Sequence, residues 1–126
     1  MSADTTVLVE EVMSTPIETI RADATIKAAA ETMRAHDING LFVPGSEAGI
    51  VTTTDVVAVV ADGDDPTSVQ VGDVMTAPVE RVMTSTELAE AATMMINFGI
   101  KHLPVMDEHG DYVGMVSSTD TTTEFA

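Results

Sequence analysis

Apolar residues recur at helical spacing in two stretches of the chain. Ile26, Ala29, Ala30 and Met33 fall on one helical face, and Leu88, Ala91, Ala92 and Met95 fall on another. Each set predicts an amphipathic helix. Asp23 or Thr25 can cap the first, and Ser85-Thr86-Glu87 leads into the second. Short apolar runs follow each helix: Leu41 to Val43 and Gly49 to Thr52, then Leu103 to Met106 and Tyr112 to Ser117. These predict strands joined by turns, and Asp107-Glu108-His109-Gly110-Asp111 has hairpin chemistry. A polar-capped helix closes each set, Thr53 to Ala61 and Ser118 to Phe125. A short extended stretch opens each, Glu18 to Ile20 and Glu80 to Val82. The acidic stretch Asp62 to Asp65 and Pro66 mark the linker.

The two sets are copies. Val12-Met13-Ser14-Thr15-Pro16-Ile17-Glu18 returns as Val74-Met75-Thr76-Ala77-Pro78-Val79-Glu80, an offset of 62 residues. The same offset relates Ile20 to Val82, Ile26 to Leu88, Ala29 to Ala91, Met33 to Met95, Ile38 to Ile100, Leu41 to Leu103 and Val43 to Val105. Gly49 to Asp55 then returns as Gly114 to Asp120 at an offset of 65, so the second copy carries three extra residues in its turn. Residues 7–66 and 67–126 are the expected repeats, each a β-α-β-β-α unit. A unit this small buries little area alone. The expected class is therefore α/β (α+β), with two repeats packed sheet to sheet about a pseudo-twofold axis and two related sites in the cleft between them.

Composition changes the picture in two ways. The 126 residues suit one domain, and 44% hydrophobic content supports a core. With 3% aromatic residues and nine Met, that core must be aliphatic. Five Lys and Arg stand against 21 Asp and Glu, a net charge of −16. Binding to nucleic acid or to an anionic membrane depends on basic residues, so neither is expected. Such self-repulsion destabilises a small compact domain unless salt screens it, which points to a salt-rich cytoplasm of the halophile kind. Without cysteine there is neither disulfide nor thiol chemistry. The start, MSADTTVLVE, lacks the features of a signal peptide, and Val56 to Ala61 is far too short to span a bilayer. A cytoplasmic protein is expected.

The repeat resembles the CBS domain family, named for cystathionine β-synthase, arranged as a tandem pair or Bateman module. Three motifs carry the resemblance: Val-Met-x-x-Pro at each start, Gly99 to Asp107 (GIKHLPVMD) within the second repeat, and Gly-φ-φ-[Ser/Thr]-x-x-Asp at each end. The first repeat departs from it, because Ile38 to Val43 lacks the usual proline and the acidic turn is replaced. The resemblance implies a sensor or regulator rather than an enzyme, binding an adenosine-containing ligand (AMP, ADP, ATP or S-adenosylmethionine). It implies ribose recognition by Asp120 and Asp55, and phosphate contacts from Ser117, Thr119, Thr52 and Thr54 near helix N-termini. Ile38, Ile50, Ile100 and Met115 would sandwich adenine. By the family pattern, Asp120 works with Met13 to Pro16 (hence Ser14 and Thr15) and Ile38, and Asp55 works with Met75 to Pro78 (hence Thr76) and Ile100. Lys101 and His102 are the expected phosphate partners, where the first repeat offers Asn39 and Gly40. The Asp120 site is therefore expected to be the better one, with Arg21, Arg34 and Arg81 unplaced. Asp55 and Asp120 also suit plain helix capping.

No other chemistry competes. The three histidines, His36, His102 and His109, have no metal-ligand spacing, and Asp62 to Asp65 lacks the calcium-loop pattern. No cofactor is required. Two functions remain open: a nucleotide-responsive regulator of an unknown partner, working as a homodimer, or a ligand-free dimerisation and docking module on an enzyme or transporter.

Overall fold

The computed structural model describes residues 6–125, which form two compact units. One, the N-repeat unit, is Glu18–Val79. The other, the C-repeat unit, joins the described residues up to Ile17 to those from Glu80 onward.

The N-repeat unit contains α1 (Ile26–His36), β1 (Gly40–Val43), β2 (Gly49–Thr52), α2 (Thr53–Ala61) and a single-turn α3 (Val71–Val74). The C-repeat unit contains a 3-10 turn (Val9–Glu11), β3 (Val82–Met83), α4 (Leu88–Phe98), β4 (His102–Met106), β5 (Tyr112–Ser117) and α5 (Ser118–Phe125). β1 and β2 pair antiparallel, with Leu41 opposite Val51 and Phe42 opposite Ile50. In the other unit β3 runs parallel to β4, and β4 pairs antiparallel with β5, setting Leu103 opposite Val116 and His102 opposite Ser117.

Local chemistry accounts for the element ends. Of the two capping candidates for α1, Thr25 takes the position, its hydroxyl accepting from the Ala28 amide at 3.1 Å. Asp23 instead meets the Arg21 guanidinium at 2.9 Å on the surface, which holds its carboxyl below the usual range. Glu87 precedes α4 without a side-chain cap, while the Thr86 hydroxyl accepts from the Met83 amide. In the Asp107 turn one carboxylate oxygen takes the His109 and Asp111 amides at 2.9 and 3.0 Å. The expected stretch Glu18 to Ile20 makes a single parallel bridge, Thr19 with Phe42.

The two cores repeat at seven positions, with Val59 added in one unit and Val82 in the other. Ile26, Ala29, Met33, Leu41, Val43, Val51 and Val71 are buried in one unit, and Leu88, Ala91, Met95, Leu103, Val105, Val116 and Val9 in the other. Val9 and Val71 occupy equivalent places in the sequence repeats, yet each fills the core of the unit built mainly from the other repeat. The turns that carry them, Val9–Glu11 and Val71–Val74, were not legible as helices; each is closed by an acid three residues on, Glu11 to the Leu8 amide and Asp73 to the Gln70 amide.

The strap that follows each turn completes a sheet. Ser14 bridges Met115, with amide–carbonyl bonds of 2.9 and 3.1 Å, and Thr76 bridges Ile50 with bonds of 2.9 and 3.0 Å. The close approach needs glycine. A Cβ on Gly114 would sit 2.7 Å from Met13 Sδ and 2.8 Å from the Ser14 carbonyl oxygen. One on Gly49 would sit 2.8 Å from Met75 Sδ and 2.9 Å from the Thr76 carbonyl oxygen. The methionine of Val-Met-x-x-Pro and the glycine of Gly-φ-φ-[Ser/Thr]-x-x-Asp are therefore two sides of one contact.

Candidate functional site

In each repeat the strand-to-helix turn gathers most of the expected site residues. Asp120 lies in the first turn of α5 and reaches back: its Oδ2 accepts the Ser117 amide at 2.7 Å and the Ser117 hydroxyl at 3.1 Å. Asp55 does the same at α2, accepting the Thr52 amide at 2.8 Å and its hydroxyl at 3.3 Å. The capping role is thus filled by one oxygen of each carboxylate. Among the described residues the Oδ1 of each has no hydrogen-bond partner.

The flanking segments differ in chemistry. The Lys101 carbonyl accepts from the Ser118 amide at 2.9 Å, and the Asn39 carbonyl accepts from Thr53 at 3.1 Å, so the same backbone bond ties each motif to its helix. Lys101 and Thr119 are exposed. His102 is half-buried opposite Ser117. Burial pushes its imidazole below the ordinary histidine range, the Asp120 carboxylate pulls it back up, and Lys101 adds to the lowering. The C-repeat unit therefore assembles Ser117, Asp120, Lys101 and His102, with Met115 on β5 bridged to Ser14 of the strap. Ser14, Thr15 and Thr119 are exposed. Ile100 is half-buried against the core of the same unit.

In the N-repeat unit the expected residues divide. Thr52 and Asp55 form the capped turn, Ile50 is bridged to Thr76, and Thr54 is exposed. Ile38 and Asn39 instead line an open cavity of about 290 Å³ together with Ala30, Met33, Arg34, Asp37, Thr53, Val56 and Val57. Arg34 thus has a place, close to the motif that was read as lacking positive charge. The sequence offered Arg34 only as one of three arginines without a place, although the repeat offset held a signal: Arg34 and Asp37 stand where the second repeat has Ile96 and Gly99. Among the described residues no cluster of His, Asp and Glu is placed to hold a metal ion, and no helix is long and apolar enough to cross a membrane.

The burial of His102 predicts that the C-repeat unit is sensitive to pH. A histidine whose folded pKa lies below its unfolded value, near 6.5, favours unfolding once protonated. The contribution is absent above the unfolded pKa and grows as pH falls toward the folded one. The wild-type midpoint is expected to fall more steeply than that of His102→Gln between about pH 7.5 and 5.5. Parallel pH curves for the two proteins, measured by thermal unfolding, would exclude it.

A family model described as "CBS domain" matches residues 9–62 and 71–125. An uncharacterised 17.7 kDa protein of Acidianus ambivalens is 31% identical over 115 residues, covering 89% of this chain and 69% of that protein. The crystal structure of the CBS domain pair of protein MJ0100, in complex with 5′-methylthioadenosine and S-adenosyl-L-methionine, superposes with a TM-score of 0.85 at 26% identity, covering 95% of this chain and 96% of that one. A hexameric CBS-CP12 protein from bloom-forming cyanobacteria superposes with a TM-score of 0.87 at 29% identity, covering 92% of this chain and 69% of that one.

Proposed function

This chain belongs to the CBS domain family as a tandem pair, and from that membership we propose that it is a regulator, not an enzyme, that responds to an adenosine-containing ligand. The observation that carries the reading is the Ser117–Asp120 turn. One Asp120 oxygen is fixed by the Ser117 amide and the other is open, beside His102 and the single lysine of that motif. A carboxylate held in this way is set to take a ribose diol, and the amides that open α5 favour phosphate. The complex of the related MJ0100 pair with two adenosine derivatives supports the ligand class. The Asp55 turn repeats the geometry without the lysine.

The test is thermal unfolding in molar potassium chloride against AMP, ADP, ATP, S-adenosylmethionine, 5′-methylthioadenosine and GTP. A ligand at 100 times its Kd stabilises by about 2.7 kcal/mol, a midpoint shift of roughly 5–10 °C. The shift is expected with an adenosine ligand and not with GTP, and it should vanish in Asp120→Asn, which keeps a capping acceptor. No shift across the panel would sink the ligand reading.

Self-association forms the second part of the proposal. Val57 and Val60 of α2 are 64% and 61% exposed, and Ile96 and Phe98 of α4 are 80% and 54% exposed. Two chains of net charge −16 can approach closely only where carboxylates are sparse, and from Val56 to Ala61 and from Ala91 to Ile100 there are none. We expect light scattering to give at least twice the 13.2 kDa chain mass, and Val60→Asp to shift it to the monomer. A monomeric wild type at high protein concentration overturns the assembly.

A further inference from the structure

The cavity of the N-repeat unit has a chemistry of its own. Its wall is apolar, formed by Met33, Ile38, Val56 and Val57, and its rim carries one cation, Arg34, and one anion, Asp37. Neither is in an ion pair among the described residues, although they lie three positions apart at the end of α1. The cavity also lies between the C-terminal end of α1 and the first residue of α2, Thr53. These helix ends carry partial charges of opposite sign, negative at the end of α1 and positive at the start of α2. Thr52, Thr54 and Asp55 do not line it, so it is a different place from the capped turn described above.

The repeat supplies an internal control. Asp37 adopts a left-handed backbone, φ 54° and ψ 50°, the conformation for which glycine is best suited. At the equivalent position the second repeat has Gly99, φ 66°. In place of Arg34 it has Ile96. The first repeat thus carries an acid where backbone conformation alone favours glycine, and an arginine beside it on the rim of an apolar cavity.

We propose that this cavity binds a small zwitterion, an α-amino acid with an apolar side chain. The Arg34 guanidinium takes the carboxylate, Asp37 takes the ammonium, and the side chain rests on Met33, Ile38, Val56 and Val57. The volume, about 290 Å³, is at the low end of ligand pockets and suits a ligand of this size. Because both charged groups are exposed, either alone is worth little. Recognition rests on meeting both at once over an apolar surface.

The test uses the full chain in molar potassium chloride, titrated with L-leucine and L-methionine and followed by amide chemical shifts of Ile38 and Val56. Saturable shifts are expected from both amino acids. 3-Methylbutylamine, which lacks the carboxylate, and 4-methylpentanoate, which lacks the ammonium, should bind at least tenfold more weakly. The decisive variants import the second repeat's residues, Asp37→Gly and Arg34→Ile. Asp37→Gly relieves the left-handed strain and should fold at least as well as wild type, while losing at least tenfold in affinity. S-Adenosylmethionine carries the same zwitterion and 5′-methylthioadenosine does not. If Asp37→Gly weakens S-adenosylmethionine while leucine and methionine do not bind, the zwitterion belongs to a larger nucleoside ligand and the free amino acid is excluded. No saturable shift with leucine or methionine, equal binding of the singly charged analogues, or unchanged affinity in Asp37→Gly overturns the proposal. A cavity that binds amino acids while Asp120→Asn leaves every nucleotide response intact would separate this site from the nucleotide reading.

Discussion

Gly114→Ala is expected to lower stability by about 2–4 kcal/mol, a fall in the unfolding midpoint on the order of 10 °C. Ordinary Gly→Ala changes at compatible positions are mildly stabilising, so the sign itself is informative. The added Cβ meets two kinds of neighbour. Met13 Sδ and Cγ, at 2.7 and 3.1 Å, belong to a flexible side chain that can rotate away. The Ser14 carbonyl oxygen, at 2.8 Å, cannot, because it accepts the Met115 amide at 3.1 Å. The strap must therefore lift from β5 and give up its pair of backbone bonds, each worth about 1 kcal/mol. Combining Met13→Ala with Gly114→Ala should recover only the side-chain part of the loss. Gly49→Ala should behave alike through Met75 and the Thr76 carbonyl. A cost under about 1 kcal/mol at both positions would show that the straps move freely. The coupling also predicts that Gly114→Ala weakens any ligand held at the Ser117–Asp120 turn, since Ser14 is bridged to Met115 on the strand that leads into that turn.

Removing salt is the second large effect. Among the described residues, Arg21 with Asp23 is the single ion pair that a lysine or arginine makes with a carboxylate, and it lies fully on the surface. Most of the other described acids are exposed, and none of them has a lysine or arginine within ion-pair distance. The Debye length is ~10 Å at 0.1 M salt and ~3 Å at 1 M, so potassium chloride removes most of the repulsion between carboxylates. The midpoint is expected to rise by on the order of 10 °C between 0.1 and 2 M potassium chloride, the equivalent of a few kcal/mol. Sucrose at matched osmolality separates the causes: it strengthens burial without screening charge. Equal stabilisation by sucrose would mean that repulsion among the acids is not what limits the fold.

The site was legible in its parts. Motif position brought Ser117 and Asp120 to one helix end, because a strand followed by a capped helix places residues a few positions apart side by side, whereas Lys101 and His102 reach it through the pairing that sets His102 opposite Ser117. The half-burial of His102 and the division of labour between the two Asp120 oxygens were not legible, since both depend on what the surrounding chain does. Thr25 and Asp23 were equal candidates as caps in the sequence. The choice was made by Arg21, which engages Asp23 on the surface.

What the sequence determined by itself is whatever depends on near neighbours and on recurrence. Helical spacing placed α1 and α4, short apolar runs bounded by turn residues placed β1, β2, β4 and β5, and the offset of 62 declared two copies of one unit. The tertiary structure decided which copy each strap completes. Val9 and Val71 are equally apolar and equally spaced from their own repeats, so nothing local tells them apart. Each is drawn into the core of the other repeat's unit because there the chain reaches a sheet edge with a glycine that lets its backbone come close. The same holds for the cavity. Arg34, Asp37 and Val56 are unremarkable along the chain, and they share a surface because α1 and α2 pack on one sheet with their ends adjacent. Periodicity is a property of neighbours along the chain, whereas strand completion and cavities belong to residues brought together from far apart, which no short window of sequence contains.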